Sequence, residues 1–134
     1  MLAGLGAAFS VVERYGLGLG LLLILQATAG AVAKVASGRS DDVGHSLLHL
    51  GTGIALLAVC WLGGAVAAVR LVGGFGAAYL VLAVGGVLSA PGLGLLHLGT
   101  ADDVFHALVG VLSLAVAVGF RRGRRQRRCW GTAR

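Results

Sequence analysis

The stretch DDVGHSLLHLGTGIALLAVCWL, residues 41–62, runs from two aspartates directly into unbroken apolar sequence. A bilayer core about 30 Å thick is crossed by roughly 20 apolar residues of α-helix, so this stretch is long enough to span a membrane. The composition favours that interpretation, because 57% of the 134 residues are hydrophobic and only 12% are charged. Soluble domains carry about 25% charged residues. The sequence therefore predicts an integral membrane protein and excludes a disordered chain.

Three further segments have the same character. We predict spans at residues 15–35, 43–62, 71–90 and 104–120, followed by a basic tail at 121–134. Helices of a soluble core are the alternative, but four of them would leave a chain of this length almost without polar surface. The predicted fold is all-α, an integral membrane four-helix bundle occupying residues 1–120.

The distribution of charge predicts the topology. Cytoplasmic segments are enriched in Lys and Arg, so the tail, the N-terminus and a loop around Arg70 are expected on the cytoplasmic side of the plasma (inner) membrane. The tail arginines also favour contact with anionic lipid over nucleic acid; they are Arg121, Arg122, Arg124, Arg125, Arg127 and Arg128. An alternative for the first span is a signal peptide cleaved after Ala33, because ATAGAVAK ends in a small-x-small pattern.

Two segments of the chain resemble each other. DDVGHSLL (41–48) is similar to DDVFHALV (102–109), and an arginine precedes both the first and the third span, Arg14 and Arg70. We therefore expect two copies of a two-helix hairpin with the same orientation in the membrane. A second register instead aligns His49 with His106 and Gly53 with Gly110. The sequence alone does not choose between the two registers.

Polar residues recur at helical spacing in the second and fourth spans. The aspartates are expected to cap these helices, since Asp accepts backbone N–H bonds at a helix start; they are Asp41, Asp42, Asp102 and Asp103. Ionisable groups in membranes face other helices or water. We therefore predict that one set of side chains converges at the outer end of the bundle: His45, His49, His106, Asp42 and Asp103.

The chemistry of this predicted cluster has several interpretations. The simplest is a network of interhelical hydrogen bonds, for which no cofactor is expected. Imidazoles and carboxylates at this spacing are also suitable ligands for a divalent metal. A proton relay, or a haem held between His49 and His106, are further alternatives.

The segments HSLLHLGTGIALLAV and LGLLHLGTADDVFHALVGVLSLAV carry a family resemblance. Over residues 14–120 the chain resembles a family of small four-span bacterial membrane proteins known as domain of unknown function 4383. Asp103 stands where asparagine is more frequent in that family. The resemblance implies a four-span membrane fold, and it implies no reaction because the family has none assigned.

No Ser-His-Asp arrangement, phosphate loop or paired-thiol motif is visible, so an enzyme is not predicted. The expected function is a structural or accessory membrane component that packs against itself or against a larger membrane partner. The alternative is a metal-binding or proton-handling membrane protein that uses the cluster of histidines and aspartates. A small transport subunit is a third interpretation.

Overall fold

The computed structural model describes residues 9–37, 43–88 and 100–131. Within those residues the chain forms four helices and no strand: α1 (Val11–Ser37), α2 (Val43–Leu62), α3 (Gly64–Val87) and α4 (Thr100–Gly131). Each helix is long and apolar enough to cross a membrane. The predicted all-α architecture with four apolar helices is confirmed.

The third helix begins earlier than predicted. It starts at Gly64 rather than at residue 71, because Gly63 and Gly64 alone make the turn from α2. The Gly63 N–H donates to the carbonyl oxygen of Val59 at 2.8 Å, and Gly64 has φ of 70°, which glycine adopts without the steric cost that a Cβ brings. The predicted loop around Arg70 is therefore wrong, and Arg70 lies within α3.

The fourth helix is longer than predicted at both ends. It begins at Thr100 and continues through the arginine run to Gly131, so residues 121–131 of the predicted tail continue the helix. Arginine is a good helix former, and no proline interrupts this part of the chain. Asp102 and Asp103 lie inside the first turn rather than at the capping position before it, which corrects the prediction that they cap α4. Asp41 and Asp42 lie outside the described residues.

A capping box that the sequence analysis overlooked begins α1. The Ser10 backbone N–H and the Ser10 hydroxyl both donate to Glu13 Oε2 at 2.7 Å. The Glu13 carboxylate is only 8% exposed. The Ser-x-x-Glu spacing ahead of an apolar run is the sequence signature of this motif, so the residues that fix the start of α1 were recognisable in advance.

The helices associate as two hairpins. The most extensive contacts join α1 to α2 and α3 to α4, and α1 also packs against α3. Across the other diagonal, the described backbones of α2 and α4 do not approach closely. The space along that diagonal is therefore filled by side chains that reach out from α2 and α4.

Both hairpins close on a pair of glycines. A Cβ built on Gly53 in α2 would lie 2.8 Å from the carbonyl oxygen of Gly20 in α1. In the second hairpin, a Cβ on Gly76 would lie 2.9 Å from the carbonyl oxygen of Gly110. Small residues allow this close backbone approach between helices. The correspondence of Gly53 with Gly110 favours the register that aligns His49 with His106.

The bundle is apolar outside and partly polar inside. Many large apolar side chains are exposed, among them Leu25, Leu47 and Val81. Among the described residues, the buried polar or charged side chains include Glu13, His45, His49, His106 and Ser113. Contiguous exposed apolar surface is rare on soluble monomers, and the arrangement suits a lipid environment.

Candidate metal centre

Three histidines meet on the open diagonal of the bundle. His45 and His49 extend from α2, and His106 extends from α4. His49 and His106 are each the seventh residue of their helix, so both lie about 9 Å along the axis from its start. Their side chains are buried, with 8%, 3% and 0% of the surface of His45, His49 and His106 exposed. The structure therefore brings the three imidazoles together near one end of the bundle.

The spacing of the ring nitrogens suits a metal ion. One nitrogen from each histidine lies within 4.8 Å of the other two, and Nε2 of His45 lies 3.0 Å from Nε2 of His49. Zn–N bonds of 2.0–2.1 Å at tetrahedral angles put two ligand nitrogens about 3.3 Å apart. The three ring nitrogens would thus have to move inward by on the order of 1 Å to bind one ion together.

His106 has no hydrogen-bond partner among the described residues. Both its Nδ1 and its Nε2 are buried and unpaired. Leaving a buried polar group unsatisfied costs about 1–3 kcal/mol, and native structures contain few such groups. A neutral imidazole carries one nitrogen lone pair, and no donor among the described residues forms a hydrogen bond to it in His106.

Aromatic rings enclose the histidines. The Tyr79 ring lies edge-on to His106 with centroids 4.7 Å apart, and Phe105 lies 6.0 Å from His49. Phe75 packs on Tyr79 in turn, at 4.1 Å. The side of the cluster that these rings cover is therefore weakly polar, which strengthens electrostatic interactions between the histidines and any ion they hold.

One side of the cluster opens into a small polar cavity of about 190 Å³. Its wall combines His45 and His49 with residues from three helices: Gln26, Ala27, Gly30, Lys34, Ser46 and Asp102. The Lys34 ammonium donates to the Ser46 hydroxyl at 3.0 Å across α1 and α2. The Gln26 Oε1 is buried without a hydrogen-bond partner in the described chain. The cavity is large enough for several waters or a hydrated ion.

The structure does not bring Asp103 to the histidines, although the sequence analysis predicted that it would. One Asp103 oxygen is buried against Gly86 and has no hydrogen-bond partner among the described residues. The side chain lines a separate, apolar pocket of about 350 Å³ between α3 and α4. The prediction failed because the side chain turns towards α3. Asp42, the other predicted carboxylate, lies outside the described residues.

Asp102, which the sequence analysis treated only as a cap, lies on the wall of the cavity instead. Two features of the sequence indicate that Asp102 lies near the histidines. Asp102 is four residues before His106 and therefore on the same helix face. In the register that aligns His49 with His106, Asp102 also corresponds to His45. Lys34 and Gln26, two further polar residues near the end of an apolar span, were likewise not assigned to the site.

A haem between His49 and His106 would need a flat slot between the two rings. Their centroids are 5.8 Å apart, but the His45 ring lies 4.4 Å from His49 and 5.7 Å from His106. The third imidazole would have to be displaced before a macrocycle could enter. The geometry fits a single small ion better than a haem.

Comparison with protein-family models found no match. Searches of curated proteins and of solved structures found none either. The resemblance to the family known as domain of unknown function 4383 is neither confirmed nor contradicted by these comparisons and stays a prediction.

Proposed function

We propose that this protein is a multi-pass membrane protein that binds a divalent transition-metal ion through His45, His49 and His106. The proposal moves the metal-binding interpretation ahead of a purely structural one. Neutral imidazoles suit zinc, copper, iron and nickel ions. Three such ligands also match the first coordination shell of mononuclear zinc sites that keep one position for a further ligand.

The observation that carries this proposal is the unpaired ring of His106. A hydrogen-bond network has no reason to leave both nitrogens of a fully buried imidazole without a partner. A metal ion would take the lone pair of one nitrogen, and the ring already lies beside two other imidazoles that offer theirs. Metal binding thus explains the buried His106 imidazole, which packing alone would leave without a hydrogen bond at a cost in free energy.

A structural or accessory role is the second candidate, and one contact favours it. The 3.0 Å hydrogen bond between the His45 and His49 rings is satisfied without any ion. In that role the protein would be a non-enzymatic component that associates with itself or with a larger membrane partner. The two candidates differ in one measurable property, which is whether His106 contributes to ion binding or only to folding.

We also propose that the protein lies in the plasma (inner) membrane with both termini in the cytoplasm. The basic end of α4 supports this orientation by the positive-inside rule. A groove of about 400 Å³ at that end is lined by Val66, Val69, Val118, Phe120, Arg121, Arg122 and Arg124. Arginines above an apolar floor suit the headgroup and upper acyl chains of an anionic lipid.

The lipid proposal has a direct test. Arg121→Gln, Arg122→Gln and Arg124→Gln together should remove the extra thermal stability that anionic phosphatidylglycerol confers over phosphatidylcholine in nanodiscs. Arg14→Gln, which removes an exposed charge from α1, serves as the control and should keep most of the effect. Equal stability of the wild-type protein in the two lipids would contradict the proposal.

The metal proposal is tested on the full chain purified in detergent. After treatment with a chelator, the wild-type protein should bind one Zn²⁺ or Co²⁺ per chain in a calorimetric titration. Loss of a residue that only hydrogen-bonds to a metal ligand costs about 10–100-fold in affinity. Because His106 is a direct ligand in this proposal, His106→Gln should lower the affinity by about 100-fold or more. Glutamine preserves hydrogen-bonding capacity and most of the volume, so the variant should remain folded.

Cys60→Ser is the matched control for the histidine variant. Cys60 is a buried free thiol in the same helix as His45 and His49, and thiolates are strong metal ligands. The substitution should leave the stoichiometry at one. If the wild-type protein binds no ion, or if His106→Gln binds as tightly as wild type, the metal proposal is wrong and the structural candidate takes its place.

A further inference from the structure

We infer that Asp102, which lies on the wall of the polar cavity between α1, α2 and α4, supplies the fourth ligand of the metal centre. This inference rests on the proposed three-histidine site. Asp102 is neither of the two aspartates, Asp42 and Asp103, that the sequence predicts to join the cluster. With Asp102 as a ligand, the ion is one that accepts both nitrogen and oxygen ligands.

The cavity connects the candidate carboxylate to the histidines. Asp102 lines it together with His45 and His49. Among the described residues, the set of ligand atoms that all lie within 4.8 Å of one another contains the three histidines and not Asp102. Ligation of one ion by all four residues therefore requires the Asp102 side chain to move closer to the imidazoles as the ion arrives. The volume of about 190 Å³ leaves room for that movement.

The correspondence between the two hairpins supports the same residue. Gly53 and Gly110 make equivalent crossings, and the register that pairs them also pairs His49 with His106. In this register Asp102 occupies the position of His45. One hairpin thus contributes two histidines at these positions, and the other contributes an aspartate and a histidine.

The charge of the site gives a physical reason for a carboxylate. Three neutral imidazoles around a dication would leave two positive charges buried beside Tyr79 and Phe105, and burial of uncompensated charge is costly. One carboxylate ligand halves that charge. A set of three nitrogens and one oxygen is suited to zinc, cobalt or ferrous ions, whereas soft cuprous ions prefer sulfur ligands.

The test compares neighbouring aspartates in the full-length protein. Co²⁺ is titrated into chelator-treated protein in detergent, and its visible absorption reports both affinity and coordination. Asp102→Asn should lower the affinity by about 10–100-fold and change the absorption bands. Asp103→Asn removes the same charge one residue away, from the α3–α4 pocket, and should change the affinity by no more than a few-fold. Asp102→His supplies another ligand atom without the negative charge, so it should lose less affinity than Asp102→Asn.

The outcomes separate this inference from the proposed function. If cobalt does not bind to the wild-type protein, both are wrong. If cobalt binds but Asp102→Asn and Asp103→Asn have the same effect, only the assignment of Asp102 is overturned. Equal losses in Asp102→Asn and Asp102→His would show that the carboxylate acts through its charge alone, which also overturns ligation.

Discussion

The crossing of α3 with α4 at Gly76 should be the least tolerant point of the second hairpin. A Cβ on Gly76 would lie 2.8 Å from the Cβ of Ser113, 2.9 Å from the carbonyl oxygen of Gly110 and 3.0 Å from the backbone nitrogen of Leu114. None of these atoms is the end of a flexible side chain. Gly76→Ala therefore forces the two helix backbones apart, which costs about 1–3 kcal/mol by analogy with overpacked cores.

Gly74→Ala is the matched control for Gly76→Ala. Gly74 lies in the same helix, and a Cβ there would meet nothing within 4 Å. Alanine is favoured over glycine in a helix by about 1 kcal/mol, and this gain applies to both variants. The difference between them isolates the steric cost. It should amount to roughly a 5- to 150-fold difference in the unfolding equilibrium constant.

The measurement is equilibrium unfolding in mixed detergent micelles, with helix content as the signal. Gly74→Ala should equal or exceed the stability of the wild-type protein, and Gly76→Ala should unfold at a lower denaturant fraction than Gly74→Ala. If the two variants unfold at the same denaturant fraction, the close crossing of α3 and α4 is refuted. The backbone would then have enough freedom to absorb a methyl group at that point.

Three further experiments test other parts of the structure. Ser10→Ala should destabilise the protein by about 1 kcal/mol because it removes the capping box. Thr28→Ala is the control and should have a smaller effect, since the Thr28 hydroxyl only donates to carbonyls of its own helix. Equilibrium unfolding in detergent measures the stability of both variants. Lys34→Met should raise metal affinity about 3- to 10-fold by removing a positive charge from the cavity, while Arg14→Met near the opposite end of α1 should leave the affinity unchanged in the same titration. Replacement of the six arginines at 121–128 should weaken the orientation in the membrane, so that a reporter fused after residue 134 is found on both sides.

Much of the fold could be predicted because a helix that can cross a bilayer needs a certain length and an apolar composition, and four segments of the described chain meet both requirements. Residues 43–62 coincide with α2, since a polar run precedes them and a glycine pair follows. The start of α3 could not be predicted from hydropathy. Arg70 interrupts the apolar run in the sequence, but a long side chain near the end of a span keeps its charge in the interface without breaking the helix. The predicted loop therefore falls where the structure has an exposed arginine within α3.

The candidate site was predictable as far as the histidines. His45 and His49 share one face of α2 because they are four residues apart, and the same reasoning brings His106 to the interior of α4. Helical spacing alone did not identify Asp102 as the aspartate on the cavity wall beside the histidines. Residues three and four positions before a histidine both lie near its face, so Asp102 and Asp103 are equivalent by spacing. The rotation of α4 against α3, which buries Asp103 beside Gly86, decides between them.

The balance of charge around the site distinguishes a metal centre from a hydrogen-bonded network. Two helices begin and two end at this side of the bundle, so their dipoles, about half a charge each, cancel to first approximation. The local electric field is then set by charged side chains, and Lys34 and Asp102 line the same cavity beside the histidines. Removal of Lys34 should strengthen ion binding, and removal of Asp102 should weaken it. A network without an ion predicts no such opposition of sign, because both substitutions would remove a polar side chain from the same wall and affect only the stability of the fold.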